Sequence, residues 1–328
     1  MKIAILGATG AVGQQMLQCL EERKIEGEVL LLASKKSAGK KVAYRGGELT
    51  VAEATDSAFA GCDYVLGAAE NDIAKAFAPA IKAAGATFID NSSAFRMDPD
   101  VPLIVPEINA ADAKDNHAII SNPNCSTIIA CMALKPICDL SPITKVVAST
   151  YQAVSGAGVG GMAELEAQMK DINTPPSVFP YQIAFNCIPC IGSPLENGFT
   201  TEEMKMQNEG RKIMHLPDMN VTCSCVRVPV MRSHSISLSV QTREPLTVEE
   251  VRKSMEAARG VVLVDDVAAK RYPMPIETSN QDLVYVGRIR KDLVFEGGIT
   301  LWCCGDQIRK GAATNAVQIL EACLEMCN

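Results

Sequence analysis

Lys2-Ile3-Ala4-Ile5-Leu6-Gly7-Ala8-Thr9-Gly10-Ala11-Val12-Gly13 runs from a short apolar, β-branched stretch into three evenly spaced glycines and on into a helix-like segment. A strand that ends in a glycine turn and restarts as a helix opens a parallel α/β sheet. Glycine lets the backbone approach a pyrophosphate, and the first N–H groups of the helix attract its charge. The spacing is G-x-x-G-x-x-G, not the commoner G-x-G-x-x-G, but the physics is the same. Gly7, Thr9, Gly10, Ala11, Val12 and Gly13 are therefore expected to bind a dinucleotide, against the plainer alternative of a turn that binds nothing. The end of the second strand speaks to which dinucleotide. NAD sites usually place an acid there for the ribose hydroxyls, whereas this chain has Ser34-Lys35-Lys36-Ser37. The hydroxyls of Ser34 and Ser37 with the ammonium groups of Lys35 and Lys36 suit a 2′-phosphate, so NADP is expected.

Outward from this turn, the first half alternates apolar runs with alanine-rich stretches. Strands are expected at 2–6, 29–33, 63–68, 87–90 and 118–121, with helices near 13–24 and 71–84. From about residue 145 the texture changes to longer strands, at 145–152, 220–230, 235–242 and 293–304, with helices near 161–170, 201–214 and 248–258. The final 307–327 reads as one amphipathic helix packed back on the first domain. The fold class is α/β: an N-terminal Rossmann-type parallel-sheet domain and a second α+β domain on a mostly antiparallel sheet. Residues 1–126 and 307–328 would form the NADP-binding domain, and 127–306 the catalytic and dimerisation domain.

The 328 residues, 48% hydrophobic and 21% charged, suffice for two globular cores. A net charge of −7 gives no basic field for nucleic acid. No apolar run approaches the roughly 20 residues of a membrane span, and the apolar run at 3–6 stops too soon in glycines for a signal peptide. Thirteen cysteines without an export signal imply free thiols in a cytoplasmic protein. Cys187 with Cys190, and Cys223 with Cys225, could be drawn as four zinc ligands. The first pair lies among apolar residues and the second follows strand alternation, so no metal is expected.

Ser121-Asn122-Pro123-Asn124-Cys125-Ser126-Thr127 follows a buried-strand run and precedes the helix-like Ile128-Ile129-Ala130-Cys131-Met132-Ala133-Leu134. Proline forces a turn after Asn122, and Ser126 or Thr127 are candidates to cap the helix. Cys125 would then sit where backbone N–H groups and a helix dipole converge, an environment that favours thiolate. Free cysteines usually just pack, but this polar turn argues for a nucleophile. A proton partner must come from His117, His215 or His234. Of these, His234 stands at a strand entrance close behind Arg227 and Arg232, a setting for small anions.

Four segments fall in order along the chain: the Gly7–Gly13 loop, Ser121–Thr127, Tyr151-Gln152-Ala153-Val154-Ser155-Gly156-Ala157-Gly158, and Arg227–His234. Together they resemble aspartate-β-semialdehyde dehydrogenase. The likeness extends through Asn91–Arg96, Val105–Asn109 and Gly311–Ala316. It implies an enzyme of lysine, threonine and methionine (and diaminopimelate) biosynthesis that interconverts β-aspartyl phosphate and aspartate β-semialdehyde with NADP and phosphate. Cys125 would form the thioacyl intermediate, His234 would serve as general acid/base, and Gln152 would orient the acyl group. Arg227 would hold the α-carboxylate and Glu202 the α-ammonium, while Arg96 and Lys205 with Asn124 would bind phosphate. Glu202 and Lys205 are three apart and share a helix face, where a plain surface ion pair is the alternative. Ser155, Gly156, Gly158 and Asn315 would border the nicotinamide, and the family implies a homodimer. The chain departs from the family at Glu70-Asn71 in the cofactor loop, where the acid is expected only to cap a helix, and at Cys187 and Cys190. Reductases of malonyl-CoA or N-acetylglutamyl phosphate, and a non-catalytic homologue, are the competing readings. Glyceraldehyde-phosphate dehydrogenase shares the logic but not the cysteine context.

Overall fold

The computed structural model describes residues 1–115 and 118–327 and divides into two compact units, 1–124 with 312–328 and 125–311. The first unit is built on strands β1 (Lys2–Leu6), β2 (Glu28–Ala33), β5 (Ala52–Glu53), β6 (Tyr64–Gly67), β7 (Thr87–Asp90) and β8 (Ile119–Ser121), with a hairpin of β3 (Lys41–Tyr44) and β4 (Gly47–Thr50). The six form one all-parallel sheet in the order β5-β2-β1-β6-β7-β8. Its central strand is apolar on both faces, as a sheet covered on both sides requires. Ile3 and Ile5 of β1 pack with Met16 and Leu20 of helix α1 (Ala11–Glu22) and with Val317 and Leu320 of the C-terminal helix Thr314–Cys327. Ala4 and Leu6 point the other way, onto Val65, Phe88 and Ile81 of helix α2 (Asn71–Ala83). A one-turn helix α3 (Pro106–Asn109) precedes β8.

The second unit holds a sheet in the order β10-β9-β11-β14-β13-β12, made of β9 (Ile143–Gln152), β10 (Asn220–Arg227), β11 (His234–Thr242), β12 (Val261–Leu263), β13 (Val284–Lys291) and β14 (Ile299–Gly305). Its two outer pairings are parallel and its three inner ones antiparallel. Helices α4 (Cys125–Cys138), α5 (Gly158–Lys170), α6 (Thr201–Met214) and α7 (Val248–Ala257) join a one-turn α8 (Pro275–Thr278). Helix α4 is apolar all round and buried from Ser126 through Leu134. On one side of the sheet Tyr151 and Trp302 bring their rings to 5.3 Å. No helix among the described residues is long and apolar enough to cross a membrane.

Three expectations on elements need correction. The strand drawn over 293–304 begins only at Ile299. Before it, the Asp292 carboxylate accepts the N–H groups of Val294 and Phe295 and the Thr300 hydroxyl, and so locks a turn. β10 ends at Arg227, short of residue 230. Residues 307–327 are not one helix: a π-helical stretch, Arg309–Ala313, precedes Thr314–Cys327, and Asp306 caps the entry by accepting from the N–H groups of Ile308 and Arg309.

Candidate active site

The chemistry-bearing side chains of the second unit follow from strand register. Arg227 pairs with Gln152 across the parallel β10–β9 ladder, and Ser235 pairs with Tyr151 across the antiparallel β9–β11 ladder. Gln152, Arg227 and His234 therefore cluster where one end of β9 and of β10 meets the start of β11. Cys125 is the first residue of α4, and its Sγ lies 3.4 Å from His234 Nε2. A Cβ at Gly311 would come 2.9 Å from that of Cys125, so the close approach there demands glycine. Since α4 starts at Cys125, Ser126 and Thr127 lie inside its first turn and do not precede it as caps.

His234 is fully buried, and its Nδ1 accepts the Ala153 N–H at 3.0 Å. Burial, with the Arg227 charge adding to it, pushes its pKa down to about 3. Arg227 donates from Nη1 to the Ala153 carbonyl at 2.6 Å, and its guanidinium carbon lies 5.7 Å from the Phe179 ring centroid. Burial lowers its pKa too, while the neighbouring Cys125 and Glu202 charges oppose that shift. Paired backbone hydrogen bonds of 2.9 Å with Ile188 hold Arg227 in place. Gln152 Nε2 donates to Glu202 Oε1 at 3.2 Å, and Lys205 Nζ lies 3.0 Å from Glu202 Oε2. Glu202 and Lys205 do share a helix face, but Glu202 is buried, so the pair is not merely a surface one. Thr200 and Glu203 close a reciprocal cap at the start of that helix, at 3.3 and 2.8 Å.

Ser155 accepts from Gln307 Nε2, whose Oε1 takes the Ser233 N–H at 2.8 Å. A Cβ on Gly156 would meet Arg227 Nη1 at 2.7 Å, while Gly158 has φ +73° and open space around it. Arg232 pairs with the buried Asp306. His215 is the left-handed cap residue of α6, and His117 lies outside the described residues.

In the first unit, Gly7 has φ +88° and a Cβ there would lie 2.5 Å from the Ala68 carbonyl; at Gly13 it would lie 2.4 Å from the Gly7 carbonyl. Between them Gly10 precedes α1, and no side chain caps that helix start. Ser34 and Lys36 are exposed and Ser37 half-buried, in a short turn beyond β2. That bare helix start, glycine-lined and followed by hydroxyls and ammonium groups, fits a phosphate-rich dinucleotide. Glu70 occupies the position before α2, but its side chain makes no cap, contrary to expectation. Arg96 and Asn124 are buried, Arg96 donating to the Asn91 carbonyl at 2.8 Å. Asn315, also buried, gives its amide hydrogens to Ile104 O and Asn122 Oδ1 at 2.9 and 2.6 Å.

Two contributors escape residue-type reasoning. Ala153 acts only through its backbone. Phe179 sits in a proline-rich loop that the buried Glu164 pins through the Ser177 and Val178 N–H groups. Phe179, Tyr181 and Cys190 line a cavity of about 660 Å³ reaching Arg227. The Cys223 and Cys225 sulfurs are 3.7 Å apart in the core, whereas Cys187 and Cys190 are exposed. Among the described residues no three metal-binding side chains cluster.

Residues 2–116 match the NAD binding domain of semialdehyde dehydrogenases, and residues 134–310 match their dimerisation domain. The two matches, one on each side of Cys125, define the class as a semialdehyde dehydrogenase. An aspartate-semialdehyde dehydrogenase of Bacillus subtilis is 48% identical over 98% of this chain and 97% of its own length. One from Aquifex aeolicus is 49% identical over 98% and 97%. A crystal structure of aspartate semialdehyde dehydrogenase II from Vibrio cholerae, complexed with ASA, superimposes with a TM-score of 0.96 at 41% identity, covering 99% of this chain and 98% of that one. The chain belongs to the aspartate-semialdehyde dehydrogenase family, whose members are NAD(P)-dependent phosphorylating oxidoreductases of amino-acid biosynthesis.

Proposed function

We propose that Cys125 is the nucleophile of a phosphorylating aspartate-semialdehyde dehydrogenase that uses NADP and works through a cysteine thioacyl intermediate. The observation that carries this is the 3.4 Å contact of Cys125 Sγ with His234 Nε2 at the first residue of a helix. The helix N-terminus and the nearby Arg227 charge both favour thiolate. His234 attends the sulfur and the carbonyl oxygen, and Gln152, tied to Glu202, orients the acyl group. Arg227 binds the substrate carboxylate, Glu202 its ammonium, and Lys205 with Arg96 and Asn124 the phosphate. Glu202 and Arg227, as a pair for an α-amino acid, favour aspartate semialdehyde over a malonyl or N-acetylated acyl group.

NADP, when bound, supplies or accepts the hydride. The Gly7–Gly13 loop would hold its pyrophosphate, and Ser34, Lys36 and Ser37 its 2′-phosphate. Ser155, Gly156 and Gly158 would border the nicotinamide, and Asn315 would meet its amide. The half-exposed Val147 and Tyr151 on one face of the second sheet are cover sites for a second copy, in keeping with a homodimer. The cytoplasm, which keeps thiols reduced, suits this chemistry.

The test is NADP reduction with aspartate semialdehyde and phosphate by the intact chain and by Cys125→Ala, with acid quenching to trap an acyl group on the protein. Phosphate-dependent turnover and a trapped adduct, both lost in the variant, are expected. Turnover that survives Cys125→Ala would overturn the assignment.

A further inference from the structure

We infer that Glu164 and Gln168 are positioning residues for the substrate carboxylate: from helix α5 they fix the loop 177–184 so that Phe179 lies against Arg227 and sets its guanidinium. This deepens the carboxylate role proposed above for Arg227 and rests on it. Both side chains are buried and stand one turn apart on α5. Burying a carboxylate is costly unless hydrogen bonds replace its water. Glu164 Oε2 accepts the Ser177 N–H at 2.8 Å, the Ser177 hydroxyl at 3.0 Å and the Val178 N–H. Gln168 Oε1 accepts the N–H groups of Ile183 and Ala184 at 2.9 and 3.0 Å. Its amide nitrogen donates back to Glu164 Oε1 at 3.3 Å, so the two side chains act as one clamp. Two backbone N–H groups from each end of the loop thus terminate on one helix.

Between those ends the loop carries Phe179, which packs with Val154, Leu165 and Ile183. Gly161, also on α5, leaves the ring its room: a Cβ there would come 3.1 Å from Phe179 Cζ. The ring centroid lies 5.7 Å from the Arg227 guanidinium carbon. Arg227 is otherwise tied by its backbone pairing with Ile188 and by Nη1 on the Ala153 carbonyl. One bond at Nη1 leaves the planar fork free to pivot about it. An aromatic wall beside the fork removes that freedom, and cation–π attraction favours the seated arrangement. A bidentate pair with a carboxylate needs the fork set in advance.

The residue types suit this task. A carboxylate only accepts, so Glu164 serves the loop with one oxygen and the Gln168 amide with the other. A glutamine at 164 would keep an acceptor for the loop but turn its own N–H groups towards the Gln168 donor. Burial alone would raise the Glu164 pKa, yet the bonds from Val178 and Ser177 outweigh it and hold the group below the ordinary glutamate value. The clamp therefore keeps its charge at neutral pH.

The experiment is a double-mutant cycle on the full chain, with Glu164→Ala, Phe179→Leu and the two combined. Each is assayed by initial rates of NADP reduction at saturating phosphate, with thermal unfolding alongside. Expected for Glu164→Ala is a KM for aspartate semialdehyde raised roughly 3- to 30-fold, the range that loss of a cation–π contact allows. The kcat and the KM for NADP should stay within about twofold of the parent. Phe179→Leu should do the same, and the combination should be no worse than either, because both act through one contact. Glu164→Gln, which keeps the Ser177–Val178 end of the clamp, should raise the KM less than Glu164→Ala. If Glu164→Ala does not fold, Gln168→Ala takes its place in the cycle with the same expectations. Effects that multiply in the combined variant, or a lowered Tm with an unchanged semialdehyde KM, would overturn the inference while leaving the carboxylate role of Arg227 standing. An Arg227→Lys variant with the parent's semialdehyde KM would instead remove that role, and this inference with it.

Discussion

Replacing Gly156 with alanine adds a methyl group 2.7 Å from Arg227 Nη1 and 3.4 Å from His234 Cε1. The first distance is too short to persist, and the atom that can move most cheaply is the end of the arginine. Shifting Nη1 breaks its 2.6 Å bond to the Ala153 carbonyl. A buried hydrogen bond from a charged donor contributes about 1.5–3 kcal/mol. At about 1.4 kcal/mol per decade, that predicts a fall of roughly 10- to 150-fold in kcat/KM. Because Arg227 is assigned to the substrate carboxylate, most of the loss is expected in KM for aspartate semialdehyde. Initial rates of NADP reduction at saturating phosphate would measure it, with thermal unfolding run alongside to show an intact fold. A KM for semialdehyde within twofold of the parent, with KM for NADP raised instead, would refute the reasoning. It would return Gly156 to the role in nicotinamide approach that its sequence context suggests.

Thr200→Ala should remove the reciprocal cap of the helix bearing Glu202 and Lys205, costing about 0.5–2 kcal/mol in urea unfolding; an unchanged midpoint would contradict that account. Gly7→Ala cannot keep φ +88° beside the Ala68 carbonyl, and should weaken NADP binding in calorimetry by tenfold or more, whereas retained affinity would mean the loop does not hold the cofactor. His234, at about 3 when folded against 6.5 when unfolded, takes up its proton first in the unfolded chain. Its contribution is therefore complete above pH 6.5 and is lost towards pH 3 at up to about 1.4 kcal/mol per pH unit. His234→Asn should flatten that slope in urea titrations between pH 7 and 4.5, and equal slopes would count against the buried neutral ring. Asp292→Asn should destabilise by about 1–3 kcal/mol, because the turn before β14 rests on its three acceptor bonds; a neutral effect would show that the turn stands without the carboxylate.

What the chain discloses to a reader depends on how local the cause is. The Gly7–Gly13 turn is legible because strand, turn and helix adjoin, and the Cys125 turn is legible for the same reason. The partner of that cysteine lies 109 residues downstream; its place at a strand entrance behind two arginines makes His234 a candidate, and the family resemblance gives it a role. Ala153 left no trace because it acts through backbone atoms that every residue owns. Phe179 was hidden in a loop whose shape is set by Glu164, a residue inside α5. The π-helical break before Thr314 was masked by apolar spacing that runs on regardless, although Asp306 could have been read as a cap. The β3–β4 hairpin does have a local signal: Arg45-Gly46 joins two short runs, and both residues have positive φ, 48° and 73°.

Trp302, its ring tilted against that of Tyr151 on the second sheet, is the chain's single tryptophan. It is the one fluorophore that can be excited at the red edge, beyond tyrosine absorption, and under that excitation the unit of the glycine loop, which has Tyr44 and Tyr64 but no tryptophan, is dark. Emission reports the unit that holds Cys125 and His234, while far-ultraviolet dichroism averages over both. Melting curves from the two signals need not coincide, and any gap between them would read out, without labels, whether the two halves of the chain denature as one cooperative body or in sequence.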